Sequence, residues 1–190
     1  MATSVVAGAI AAAGGIALLL AATISARAQA LPPPAYQLAA QGANVPSVVL
    51  FAVALQESGA WLHGRLVPWP WTLDIAGTPS HYTNAASACD ALQRAARKVP
   101  ATRIDVGLGQ INLGYQSSRY RQPCELLDPY RNLAVAATIL HEQHGAGEDW
   151  LLAVGRYHHP AGGPLAASYR SRVHRHLVRV LGGDGLAATP

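Results

Sequence analysis

Apolar and small side chains recur at helical spacing over most of the chain after residue 44. Two of the helix starts pair a polar capping residue with a proline in the first turn, Asn44 with Pro46 and Asp128 with Pro129. The pattern predicts five helices, which run from about Asn44 to Glu57, Asn84 to Lys98, Asp128 to His144, Glu148 to Gly155 and Leu165 to Leu181. Asn84 is expected to cap the second of them.

Two short segments between these helices have the alternation of strands. Trp71–Ile75 alternates, a turn follows at Gly77-Thr78-Pro79, and Tyr82 is expected on the partner strand. Ile104–Val106 is a second extended piece. The expected fold class is therefore α+β and mostly α-helical, with a small β-hairpin element.

The first residues have the composition of an export signal. Val5–Ile24 is apolar and uncharged, and Ala28-Gln29-Ala30 is a small-x-small cleavage site. We expect a signal peptide over residues 1–30 and a periplasmic protein. The alternative is an uncut inner-membrane anchor that faces the periplasm, because about 20 apolar residues can span a bilayer. Residues 31–40 are predicted to be an extended proline-rich linker, residues 41–182 the folded domain, and residues 183–190 a C-terminal tail.

The charge pattern limits the class of partner. Hydrophobic residues make up 51% of the 190 residues and charged residues 13%, which is enough apolar material for a core. The formal charge of +4 suits an anionic polymer such as cell wall, nucleic acid or lipid head groups. Lys98 is the only lysine and the arginines are mostly dispersed, so we expect no nucleic-acid partner.

Two cysteines, Cys89 and Cys124, stand far apart in the sequence. In an oxidising compartment they are expected to form one disulfide. The alternative is two buried thiols. A zinc site is disfavoured, because no histidine lies at ligand spacing from either cysteine.

Glu57 is the strongest candidate for chemistry. It follows the apolar run Val45–Leu55, where burial should raise the pKa of a carboxyl group and allow it to act as a general acid. The alternative is a surface glutamate that closes a helix. Ser58 lacks the context of a nucleophile and is expected to orient the substrate or Glu57.

Two further segments carry groups that suit a sugar ligand. In Gly107–Asn112 the glycines allow close approach of a ligand, and the amides of Gln110 and Asn112 can bind hydroxyl and acetamido groups. Tyr157 is able to hydrogen-bond a buried carboxylate, or else belongs to the core. No phosphate-binding motif is present in the loop.

The histidine pairs do not form a metal motif. His141-Glu142-Gln143-His144 is one residue short of the H-E-x-x-H pattern, and no third ligand is evident. We likewise expect no metal at the pair His158-His159. We therefore predict no metal and no cofactor.

Taken in order, the segments Glu57-Ser58, Gly107–Asn112 and Ala153–His158 resemble the soluble lytic transglycosylase domain, which is related to goose-type lysozyme. The helix start at residues 128–133 and the pair Tyr169 and Val173 are similar to that family as well. Residues 68–73 with the following hairpin resemble the subgroup attached to type IV secretion and conjugation. Gly109 and His158 depart from the family pattern, which has Met and Asn there, and the glycine is expected to loosen packing under the loop.

The resemblance implies a lysozyme-like fold and one catalytic acid, Glu57. It implies peptidoglycan glycan strands as partner and, through the subgroup, components of a type IV secretion or conjugation machine. The substrate-binding residues it implies are Ser58, Gln110, Asn112, Tyr157 and His158. Three alternatives remain: a hydrolytic lysozyme that uses Asp105 or Asp74 as second carboxylate, a peptidoglycan-binding module without catalysis, and a structural subunit of a secretion channel.

Overall fold

A computed structural model describes residue 1 and residues 31–182; the rest of the predicted signal peptide and the predicted tail lie outside the described residues. The described part is mostly helical, with two small antiparallel sheets, which confirms the predicted α+β class. The helices are α1 (Pro34–Gly42), α2 (Ser47–Ser58), α3 (Ala85–Ala96), α4 (Pro129–Glu142), α5 (Trp150–His158) and α6 (Gly163–Gly182). The strands are β1 (Gly59–Leu62), β2 (Arg65–Pro68), β3 (Thr72–Ile75), β4 (Thr78–His81), β5 (Ile104–Val106) and β6 (Ile111–Asn112).

The central element of the core is α2. Other helices pack around it, and it buries apolar residues on every side, which is the pattern of a helix inside a core rather than on a surface. Asn44 does not cap it as predicted. The helix begins at Ser47, after Pro46, and Asn44 adopts a positive φ of 55° in the turn between α1 and α2. Asparagine tolerates this left-handed conformation better than most residues.

The predicted linker over residues 31–40 is wrong from Pro34 onward, where α1 begins. Its buried residues are Tyr36 and Ala40, and the Tyr36 ring meets Phe51 of α2 edge-on, with 4.9 Å between ring centroids. Only the last proline of the run, Pro34, lies in the helix, and a proline at the first helical position has its φ already set for a helix start. The packed domain therefore begins about seven residues earlier than the predicted position 41.

The caps of α3 and α4 are confirmed. Asn84 Oδ1 accepts a hydrogen bond from the Ser87 amide at 2.9 Å, and Asp128 Oδ1 accepts one from the Arg131 amide at 2.8 Å. The fourth predicted helix is shifted: α5 is capped by Asp149 and continues to His158 rather than ending near Gly155. This extension places Tyr157 and His158 in its last turn.

Strand structure is more extensive than one hairpin. A two-stranded ribbon, β1–β2, follows α2 directly and turns at His63 and Gly64, which both have positive φ. The second sheet has the order β4-β3-β5-β6 and is antiparallel throughout. Strand alternation places Leu73, Val106 and Ile111 in the core. The paired residues Asp74, Asp105 and Asn112 lie on the opposite face.

The predicted disulfide is confirmed. Cys89 on α3 is bonded to Cys124 in the short 3-10 turn that precedes α4, with 5.3 Å between the Cα atoms. This bond joins two parts of the chain that are 35 residues apart.

Over residues 31–182, no single helix has both the length and the apolar composition to cross a membrane. Within the same residues, only α1 and α2 taken together meet both conditions, and their axes are bent by 115°.

Candidate active site

Glu57 is the penultimate residue of α2, and Tyr169 of α6 donates a hydrogen bond from its hydroxyl to Glu57 Oε1. Burial raises the pKa of Glu57 to about 7. The charges of Asp105 and Asp74 raise this pKa as well, whereas the Tyr169 hydrogen bond and the charge of Arg172 lower it. A carboxyl group in this setting is about half protonated at neutral pH. This position contradicts the alternative of a solvated glutamate at a helix end.

Tyr169 takes the role that the sequence suggested for Tyr157. Its side chain is 1% exposed, and burial together with the charge of Glu57 raises its pKa well above the ordinary value, so it stays a neutral donor. The sequence singled out Tyr169 only through its pairing with Val173 in the family resemblance, and gave it no role at the acid. Because 112 residues separate it from Glu57, no local pattern links the two.

The hydroxyl of Tyr157 is engaged elsewhere, since it donates to the Gly109 carbonyl at 2.6 Å. Burial, and then the negative charge of Glu57, raise the pKa of Tyr157 well above the ordinary value. Tyr157 therefore lies near the acid but supports the loop at residues 107–112. The residue that holds Glu57 is Tyr169, not Tyr157 as the sequence suggested.

The loop at residues 107–112 is fixed by a buried side chain that sequence analysis missed. Asn132 Oδ1 accepts from the Gly109 amide at 2.8 Å, and its Nδ2 donates to the carbonyls of Val106 and Leu126 at 2.9 and 2.8 Å. Gly107 has a φ of 80°, and a Cβ there would lie 2.2 Å from the Asn132 amide. The only sequence signal for Asn132 was its place in the helix-start segment.

Gly109 does not loosen the packing under this loop, contrary to expectation. A Cβ at this position would lie 2.6 Å from the Ala136 Cβ and 2.9 Å from the Tyr157 hydroxyl. The space that a side chain would need is already filled, and the backbone amide and carbonyl of Gly109 are both hydrogen-bonded.

Two of the residues expected to bind substrate are used inside the protein. Ser58 is 1% exposed, and its hydroxyl lies 3.0 Å from the Ala54 carbonyl and 2.9 Å from the Leu108 carbonyl. All four hydrogen-bonding positions of the Asn112 amide are filled: Nδ2 donates to Thr102 and Asp105, and Oδ1 accepts from the Gly114 and Tyr115 amides. Both residues hold the loop in place and leave no group for a sugar.

Part of the Gln110 side-chain amide is used by hydrogen bonds within the protein. Its Nε2 donates to the carbonyls of Gly107 and Thr72 at 2.8 and 3.2 Å, and its φ of 46° is left-handed. These bonds use both amide hydrogens and leave Oε1 as the group that a ligand can reach.

His158 is exposed, and its ring stacks on Tyr169 with 4.5 Å between centroids and an interplanar angle of 5°. Burial of part of the ring, then the charges of Arg172 and His159, lower the pKa of His158. The imidazole is therefore neutral at neutral pH and offers both a donor and an acceptor beside the acid.

A pair of carboxyl groups lies on the sheet near Glu57. Asp74 and Asp105 are directly opposite each other on β3 and β5. Burial raises the pKa of Asp105, the Asn112 hydrogen bond at 2.9 Å lowers it, and the charge of Asp74 raises it. Asp74 Oδ1 accepts from the Gly77 amide at 2.7 Å.

Among residues 31–182, no three His, Cys, Asp or Glu side chains converge as a metal site would require. Around Glu57 the structure brings together groups that can exchange protons. These are an acid with a pKa near neutrality, a neutral tyrosine donor, a neutral histidine and two further carboxyl groups on a neighbouring sheet.

Fold and site together define an α+β domain with a partly buried carboxylic acid held by a tyrosine. No protein-family model, curated protein or solved structure matches the chain.

Proposed function

We propose that the protein is a peptidoglycan lytic transglycosylase, which cleaves the bond between N-acetylmuramic acid and N-acetylglucosamine. The observation that carries the proposal is Glu57, a carboxyl group with a pKa of about 7 that is held by Tyr169. An acid with this pKa is still protonated in a large fraction of molecules at neutral pH, as protonation of a leaving oxygen requires.

The convergence of three distant segments supports the same proposal. The Ser58 hydroxyl bonds the carbonyl of Leu108, and the Tyr157 hydroxyl bonds the carbonyl of Gly109. These contacts bring together the Glu-Ser segment, the glycine loop and the tyrosine segment, on which the resemblance to lytic transglycosylases rests.

In the proposed reaction Glu57 gives its proton to the glycosidic oxygen, and the bond to C1 of the muramic residue breaks. The acetamido group of the same sugar stabilises the positive charge that develops. The resulting carboxylate then removes the proton of the C6 hydroxyl, whose oxygen closes a 1,6-anhydro ring on C1. Glu57 ends protonated and no water is consumed. Gln110 Oε1 and the ring of His158 are the groups that remain available to position the sugar.

The proposed setting is the periplasm, where the enzyme would open the wall for a secretion or conjugation machine. The resemblance of residues 68–73 to that subgroup and the apolar segment Val5–Ile24 support this part.

Hydrolysis by a lysozyme-type mechanism is a second candidate, and Asp105 is the observation that favours it. Its carboxyl group is near enough to raise the pKa of Glu57, and it keeps some exposed surface. A second carboxylate at such a site can act as base for an attacking water. Asp105→Asn separates the two candidates: hydrolysis predicts a loss of at least about 100-fold, and transglycosylation predicts a rate near that of the wild type.

The test of the main proposal is release of soluble muropeptides from purified sacculi. Glu57→Gln should lower the rate at least about 100-fold, whereas Glu142→Gln, a matched change of an exposed glutamate on α4, should not. Circular dichroism of both variants shows whether the fold is kept. A folded Glu57→Gln variant that works at the wild-type rate would overturn the assignment, and wild-type protein that binds sacculi without release would favour a binding module.

A further inference from the structure

Arg172 lies beside the acid and is held in place by its own helix. Its Nη1 donates to Ser168 Oγ at 2.9 Å, and its guanidinium carbon lies 5.6 Å from the centre of the Tyr169 ring. Its charge lowers the pKa of both Glu57 and His158. The guanidinium is therefore close to the reacting group, and the side chain keeps some exposed surface.

This cation has no ion-pair partner within residues 31–182. The pairs in that part of the chain are Arg119 with Glu142, Arg131 with Glu125, and Arg156 with Glu148. A guanidinium that is fixed by a hydroxyl and an aromatic ring, and that is not neutralised, is prepared to bind a carboxylate from outside.

The charges near Glu57 have opposite signs on the two elements that flank it, the sheet and α6. Asp74 and Asp105 on β3 and β5 place negative charge near the acid, and Arg172 on α6 places positive charge there. A ligand that carries a carboxylate is thus repelled from the sheet and attracted to α6. A neutral part of the same ligand has no such preference.

The proposed substrate has this asymmetry. On a glycan strand only the muramic residue carries a lactyl ether. The lactyl carboxylate is free where no peptide stem is attached, and an attached stem carries carboxylates of its own. N-acetylglucosamine carries none. We infer that Arg172 binds a carboxylate of the muramic residue, and thereby determines which of the two sugars lies on the α6 side of Glu57. This inference rests on the proposed function and adds a specificity residue to it.

The test compares Arg172→Gln with the wild type on three forms of one preparation of soluble glycan strands. The first form bears peptide stems. The second has lost its stems to an amidase, so the lactyl group is its only carboxylate. In the third, the carboxylates have been converted to primary amides. The matched control is Arg175→Gln, an exposed arginine on the same helix whose Nη1 bonds only the Ser171 carbonyl.

Arg172→Gln should lower kcat/KM by about tenfold or more on strands that carry the recognised carboxylate, and should leave the amidated strands near the wild-type rate. A loss on stem-bearing strands alone identifies a carboxylate of the stem. A loss on stem-free strands alone identifies the lactyl carboxylate, which is blocked as an amide when the stem is present, and a loss on both forms shows that Arg172 accepts either carboxylate. Arg172→Lys should restore part of the loss. Removal of the charge also raises the pKa of Glu57, but that effect is common to all three forms and cancels in their ratio.

Equal losses on all three forms, or no loss on any, would overturn the inference. Binding of the same three forms to the Glu57→Gln variant, with and without Arg172→Gln, gives a readout that does not need cleavage. If the wild type cleaves none of them, the proposed function fails, and the binding ratio alone still decides whether Arg172 recognises a carboxylate.

Discussion

Glu57 owes its chemistry to a balance between burial and a neutral donor. Burial alone favours the protonated form, and a cation in direct contact would return the pKa to the ordinary range of a glutamate. Tyr169 stabilises the carboxylate by a hydrogen bond but adds no charge, so the pKa stays at about 7. The same group is then able to give a proton and take it back within one turnover.

Replacement of this donor should shift the pH profile. Because the Tyr169 hydrogen bond lowers the pKa of Glu57, Tyr169→Phe should raise that pKa and move the alkaline limb of kcat/KM to higher pH. The pH-rate profile on soluble glycan strands measures this shift. Tyr157→Phe is the control, since its hydroxyl bonds the Gly109 carbonyl and not the acid. An alkaline limb that stays in place or moves to lower pH in Tyr169→Phe would contradict this account.

The raised pKa of Glu57 also has a consequence for stability. Between the ordinary value of 4.5 and about 7, the folded protein binds more protons than the unfolded chain, so the free energy of unfolding falls as pH rises through this range. At about 1.4 kcal/mol for each pH unit, the loss above pH 7 is at most about 3 kcal/mol. Solvent screening reduces it, because Glu57 keeps some exposed surface.

Urea unfolding of Glu57→Gln and wild type at pH 5 and pH 8 tests this linkage. The variant lacks the titrating group and does not lose this stability. The free energy of unfolding of the variant minus that of the wild type should therefore increase by about 1–3 kcal/mol from pH 5 to pH 8. Groups whose pKa does not depend on Glu57 titrate alike in both proteins and cancel in the difference, and Tyr157 and Tyr169, whose pKa the charge of Glu57 raises, titrate above this range. An equal difference at both pH values for Glu57→Gln would refute the raised pKa.

At the scale of elements, local signals were sufficient for some boundaries and not for others. The caps Asn84 and Asp128 were predicted because a cap bonds an amide three residues away. Helix α1 was missed because its stability comes from packing, through Tyr36 on Phe51, and three consecutive prolines favour extended chain. The β1–β2 ribbon was missed because His63-Gly64 is a weak turn signal compared with Asn-Gly.

The glycine loop gives a prediction of its own. Gly109→Ala should destabilise the protein by about 1–3 kcal/mol, because the added methyl group meets Ala136 and the Tyr157 hydroxyl. Urea unfolding measures the loss. Gly42→Ala in the last turn of α1 is the control: a Cβ there has no atom within 4 Å, and the change should be neutral or slightly stabilising. A Gly109→Ala variant as stable as the wild type would mean that the loop is not packed as described.

At the scale of the whole molecule, the sequence predicted the class of fold and the acid but not the network around it. Patterns in one segment identified Glu57 and the glycine loop. The partners that position them, Tyr169 and Asn132, come from helices far along the chain, and no local pattern pairs Tyr169 with Glu57 or Asn132 with the loop. Ser58 and Asn112 look like ligands in the sequence, and their tertiary hydrogen bonds make them structural instead.

The disulfide stabilises this assembly as a whole. A closed loop between positions 35 residues apart restricts the unfolded chain by about 4 kcal/mol in the chain-entropy model. The double variant Cys89→Ser/Cys124→Ser should lose about 2–4 kcal/mol in urea unfolding, and a reductant should destabilise the wild type but not the variant. Two titratable thiols in the unreduced, denatured protein would contradict the bond.

The central claim is that Glu57 acts first as acid and then as base on a substrate that supplies its own nucleophile. The most direct test is mass spectrometry of the sugar end that the wild-type protein releases from purified sacculi. We expect 1,6-anhydro ends on N-acetylmuramic acid, which are lighter by one water than hydrolysed ends and resist borohydride reduction. Reducible muramic ends that take up oxygen from labelled water would contradict it and establish hydrolysis instead.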